Sequence, residues 1–155
     1  MSEQSCVFPS FTLNMSDVVF DKSFGSEFEL IDPGPGAQMG DVLFGVVPYL
    51  ENNEYSVDGQ TLIERAKIKN GFLGQKDGEE IVKRQNKIPI EIRALYYIPL
   101  PATIYKHKPT GNLFFPRLHC SDNGWHLDLT CIKSGFFGTA GRLLTPLHIC
   151  RVKVV

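Results

Sequence analysis

Apolar residues along this chain recur mostly with a period of two, in short runs cut by Gly, Pro, Asn and Asp. That is the pattern of strands joined by turns rather than of helices. In residues 6–13, Val7, Pro9, Phe11 and Leu13 alternate with Phe8, Ser10 and Thr12, and residues 17–20 are apolar enough for a strand buried on both faces. Residues 31–39, IDPGPGAQM, hold two prolines and two glycines and predict a wide surface turn. The stretch 41–50, DVLFGVVPYL, predicts a core strand with Gly45 at a bend or bulge and Pro48 near its end. From Ile88, the residues Ile90, Ile92, Ala94 and Tyr96 share one face of a strand. A hairpin follows, 103–107 returning through 113–118 across the turn Pro109-Thr110-Gly111-Asn112, with Lys106, His107 and Lys108 at its tip. Residues 126–132 and 148–155 predict two more strands, the last with Cys150, Val152 and Val154 facing away from Arg151 and Lys153.

Only the middle of the chain carries helix signals. Thr61 with Glu64 three residues later forms a capping box, Leu62, Ile63 and Ala66 share a face, and Asn70-Gly71 supplies a stop. A second helix is expected from Asp77, with Glu80 as its box partner, ending before Pro89. The competing reading of residues 66–84 is a twisted hairpin, because Lys67, Ile68 and Lys69 also alternate. Together these elements predict a mainly β, single-domain sandwich or barrel over residues 1–155, with one or two short helices between residues 60 and 86.

Composition narrows the class. At 155 residues and 43% hydrophobic content the chain is long and apolar enough to close a core without metals or disulfides. No run approaches the roughly 20 apolar residues a membrane span needs, and the polar start Met1 to Gln4 does not resemble a secretion leader, so a soluble cytoplasmic protein is expected. The four cysteines, Cys6, Cys120, Cys131 and Cys150, form no Cys-x-x-Cys pair and are expected as reduced thiols.

Charge is distributed unevenly although it nearly cancels. Residues 1–59 hold one basic side chain, Lys22, against ten acidic ones, whereas the rest hold fifteen basic and seven acidic. Either the two signs pair within the fold, or they lie on different faces and favour head-to-tail assembly or an anionic partner.

Chemistry-bearing residues cluster late. His119, Cys120, His126, Cys131, His148 and Cys150 are metal-ligand types, but their spacing matches no zinc knuckle, so no bound metal or other cofactor is expected. Cys120 or Cys131 beside a histidine, with Asp122 or Asp128 orienting the ring, would make a thiol nucleophile, without any signature that names one. The glycine sets Gly34, Gly36, Gly40 and Gly135, Gly138, Gly141 lead to strands rather than helices, which makes them loops rather than phosphate cradles. Tyr96-Tyr97, Phe114-Phe115 and Phe136-Phe137 would each point one ring to either face of a strand.

The function these residues imply is non-enzymatic binding or assembly through protein contacts, with further copies of itself or an acidic macromolecule as partner and no membrane. The expected surface joins the hairpin residues Tyr105, Lys106, His107, Lys108 and Arg117 to a basic strip, Arg65, Lys67, Lys69, Lys83 and Arg84. The alternatives are a β-barrel that holds single-stranded nucleic acid by cations and stacked rings, and a small metal- or thiol-dependent site.

Overall fold

In the computed structural model, which describes residues 10–15, 23–36, 40–90, 97–121, 124–133 and 137–146, the period-two runs pair into antiparallel sheets. In chain order the described elements are β1 (Ser10–Met15), β2 (Phe28–Asp32), β3 (Gly40–Val47), β4 (Ser56–Val57), α1 (Gly59–Ile68), α2 (Gln75–Lys83), a 3-10 turn (Gln85–Lys87), β5 (Ile98–Pro99), β6 (Ile104–His107), β7 (Leu113–Ser121), β8 (Gly124–Cys131), β9 (Phe137–Gly138) and β10 (Leu143–Pro146). The protein is mainly β. Of the two expected architectures it takes the sandwich-like one, because its sheets stay open and none closes into a barrel among the described residues.

One sheet has the order β1-β3-β10, and a two-stranded ladder joins β4 to β9. In the largest sheet β2 pairs with β6, while β5 and β6 lie along the same edge of β7 and β8 pairs with the other. Strands β5 and β6 act as one interrupted strand. Between the pairs Pro99↔Arg117 and Tyr105↔Phe114, five residues (100–104) stand opposite two (115–116), so the chain bulges out of the ladder. Gly45 is not at a bulge: it stands in continuous register between Ser10 and Thr145, because β3 is laddered on both edges and has no slack for an extra residue. The expected strands at 17–20 and 148–155, and residues 91–96 of the one beginning at Ile88, lie outside the described residues. Ile88 itself follows the 3-10 turn with extended backbone, as Pro89 requires, and is buried, but Ile90 is helical and 64% exposed, so the described residues do not begin the expected strand.

Both helices form where the pattern placed them, which removes the hairpin alternative for 66–84. Their caps differ from expectation. α1 starts earlier, with Asp58 accepting from the Thr61 N–H at 2.8 Å, and it stops where Asn70 takes a positive φ of 61° and the Gly71 N–H donates back to Ala66 O at 2.8 Å. α2 has no cap from its own neighbourhood. Its N-cap is Gly74, and the Gln75 N–H donates 2.8 Å to the hydroxyl of Thr103, which lies in the bulge of the large sheet. Asp77, expected to cap, lies inside the helix and is fully buried. No helix among the described residues is long and apolar enough to cross a membrane.

Two cores result. Phe44, Val46 and Leu144 meet Leu73, Ile81, Ile98, Leu100, Leu118, Trp125 and Leu127 around α2, while Leu62, Ile63 and Ala66 of α1 meet Tyr49, Phe115, Phe137 and Leu143. Neighbouring residues Leu143 and Leu144 go to different cores, as strand alternation dictates.

Thr103 also donates 2.9 Å to Pro33 O, so its hydroxyl serves two backbone groups. Thr103→Val keeps the shape and strands both. It should cost about 1–3 kcal/mol in urea unfolding, with Thr103→Ser retaining most of the stability. Gly59→Ala should also destabilise, because an added Cβ would lie 2.5 Å from the Ile132 carbonyl oxygen and 2.8 Å from its Cα. A neutral result for either variant would remove the corresponding contact from the account.

Candidate functional site

The cationic hairpin forms as expected, but its residues do not share a surface. Its turn is closed by the His107 N–H on Asn112 O (2.9 Å) and the Gly111 N–H on His107 O (2.7 Å), with Gly111 at a positive φ of 78°. Strand alternation sends Tyr105 and His107 to one face of β6 and Lys106 to the other. Tyr105 is buried, with Phe24 edge-on to its ring at 5.3 Å and its hydroxyl donating to Gln75 Oε1, so it belongs to the interior and not to a contact surface. Burial raises its pKa. His107 joins Phe28 (4.9 Å between ring centroids) and Phe114 (6.2 Å) in a half-buried aromatic group, and its Nε2 lies 3.2 Å from Glu27. Lys106 stands between Glu29 and Leu113 in register, and Lys108 is exposed at the turn.

The basic strip is largely committed to neighbours. Arg65 grips Glu54 through both terminal nitrogens (2.6 and 2.9 Å), approaches Glu51 at 3.7 Å and donates 2.9 Å to Tyr49 O. That guanidinium pulls the half-buried Glu54 carboxyl down to about 2. Lys69 donates 3.0 Å to Pro48 O, the Lys67 ammonium stands 5.0 Å over the Phe72 ring, and Arg84 pairs with the buried Glu80. Lys83 is exposed on α2. The early acidic residues are therefore not segregated from the later basic ones: Glu51 and Glu54 clamp Arg65, and Glu27 and Glu29 flank β6.

The far end of the β7–β8 ribbon gathers chemistry that the sequence had scattered. His119 and His126 stand opposite each other across the ladder with ring centroids 4.4 Å apart, and His119 Nε2 is 3.6 Å from Asp128 Oδ2. The side chains of His119 and Asp128 are 34% and 35% exposed. Arg117, opposite Asp128 in register, lays its guanidinium over the Tyr97 ring at 5.1 Å. Tyr97 shares a 2.8 Å hydrogen bond with Tyr49, whose hydroxyl donates 2.7 Å to Gly138 O, and burial pushes the Tyr49 pKa far up.

Of the four metal-ligand residues singled out that lie among the described residues, only His119 and His126 come together. Cys120 and Cys131 pair with Trp125 and Phe114 on the opposite face, so His119 and Cys120, adjacent in sequence, look in opposite directions and no thiol–imidazole arrangement forms among the described residues. His148 and Cys150 lie outside the described residues. The third member is Asp128, weighed from sequence only as a ring-orienting partner. The signal that finds it is His126-x-Asp128, two residues on one strand face. Of the glycine loops, Gly34 receives an Asp32 side chain on its N–H at 3.0 Å, and Arg142 closes on Thr139 O and Gly141 O at 2.7 and 2.8 Å.

Partial burial lowers the pKa of His119 below the ordinary 6.5, opposed by Asp128 and reinforced by His126 and Arg117. A proton NMR titration should place it below 6.5, with Asp128→Asn lowering it further and His126→Ala raising it. Because the unfolded chain then binds the proton more tightly, stability is fully present above 6.5 and falls as pH drops through the folded value. A His119 titration at or above 6.5 contradicts this environment.

No protein-family model, curated protein or solved structure matches the chain.

Proposed function

We propose that this protein is a non-enzymatic assembly module that associates with copies of itself at the outer edge of β2. The observation that carries the reading is the exposure of that strand. Among the described residues β2 is laddered to β6 alone, and Leu30 and Ile31 are 41% and 48% exposed on it. An open strand edge bearing aliphatic side chains is a template for another chain.

Charge supports a second copy over an unrelated partner. The β2 region carries Glu27, Glu29 and Asp32, while the neighbouring strand and turn carry Lys106 and Lys108. Each copy thus offers both signs within one patch, and Leu113, 42% exposed beside Lys106, extends it. The irregularity between Leu30 and Asp32 limits how far a ladder can run, so the association is weak and concentration-dependent rather than obligate. The nucleic-acid reading has less support, since Phe115 and Phe137 stack on each other at 5.5 Å inside a core instead of offering faces to bases.

Sedimentation velocity at low salt should show a monomer giving way to dimers as concentration rises through the micromolar range. Added salt should weaken the contact. Leu30→Lys and Ile31→Lys should abolish association without lowering thermal stability, both side chains being exposed. A chain that stays monomeric at every concentration in low salt, or variants that associate like the parent, would overturn the proposal.

A further inference from the structure

We propose that His119, His126 and Asp128 form a binding site for one divalent first-row transition-metal ion, with coordination positions left open to solvent or a small exogenous ligand. The ligand atoms of these three residues all lie within 4.8 Å of one another. They project from one face of an antiparallel ribbon, His119 directly across from His126 and Asp128 two residues further along β8. Backbone ladder bonds hold that spacing, so the site does not depend on a mobile loop.

The geometry is close to what an ion needs. Donors bound at about 2.0–2.2 Å in a tetrahedral array stand roughly 3.3 Å apart, against 3.6 Å between His119 Nε2 and Asp128 Oδ2. Rotation of half-exposed side chains closes the remainder. Two imidazoles and a carboxylate are the donor set of zinc and its transition-metal neighbours, and are too rich in nitrogen for calcium or magnesium. His126 Nδ1 lies 3.4 Å from Gly124 O, an outer contact that leaves Nε2 as the nitrogen to serve as ligand. Arg117 is turned onto Tyr97, which leaves Asp128 facing His119.

The test uses the full chain stripped with chelator, then titrated with zinc against a chromogenic chelator. One equivalent should bind, and cobalt(II) in its place should develop a visible absorption band. His119→Ala, His126→Ala and Asp128→Asn should each weaken zinc binding at least tenfold. His107→Ala, which removes a histidine from the separate group with Phe28 and Phe114, should leave it unchanged. The metal-free melting temperatures of the variants report whether they fold. As a measurement that needs no variant, zinc should shift the ring resonances of His119 and His126 in the parent chain and not those of His107. Sub-stoichiometric zinc, ring signals that do not move, or undiminished affinity in folded variants would overturn the site.

Discussion

Burial of a polar helix is the constraint on which the rest of this structure depends. α2 reads QKDGEEIVK, yet Gln75, Asp77, Glu79 and Glu80 are all at most 5% exposed. Polar groups removed from water at this depth are tolerated only when hydrogen-bonded. The Thr103 hydroxyl receives the helix's first N–H, Tyr105 donates to Gln75, and Gln75 donates 2.7 Å to Glu79, a chain in which each bond polarises the next. Glu80 is answered one turn later by Arg84. Several features of the backbone follow from this junction. The bulge at 100–104 carries Thr103 to the helix start, and the loop after β2 is drawn in because Pro33 O accepts from the same hydroxyl. Gly34 and Gly74 sit so close to the bulge that a Cβ on either would stand 2.7 Å from Ala102 O or Thr103 Oγ1. The joint is built from three chain segments remote in sequence.

The second organising element is β7. It feeds Phe115 into the core around α1 and Leu118 into the core around α2, because alternate residues face opposite ways. Beyond Leu118 the face shared by Phe115, Arg117 and His119 is only partly covered, and polar groups occupy it. The His119–His126–Asp128 group therefore stands on a rigid ribbon at the margin of a core, held in place yet reachable from solvent. The open edge of β2 lies on the other side of β6 in the same sheet.

Much of this was legible in the chain. The hairpin across Pro109-Thr110-Gly111-Asn112, the strand from Asp41, the stop at Asn70-Gly71 and the splitting of Phe114 from Phe115 all rest on local rules of turn chemistry, left-handed backbone and alternation, which neighbours in sequence settle among themselves. The candidate site was less so. Tyr105, Lys106 and His107 form one run in the sequence, yet adjacent residues on a strand cannot share a face. Asp77 and Glu80 read as a capping box because nothing in their neighbourhood foretells that they are buried inside the helix.

By itself the sequence determined the mainly β class, the position of both helices and the pairing of the hairpin strands, because these depend on periodicity and turns within some ten residues. Tertiary structure alone decided which charges are spent internally, as Arg65 is on Glu51 and Glu54, and which hydroxyl caps α2. It also decided that His119 meets His126 and Asp128 while Cys120 turns away. The physical reason is that hydrogen bonds, ion pairs and ligand sets are matters of distance in space. Residues far apart along the chain come within that distance only after the strands have taken their register.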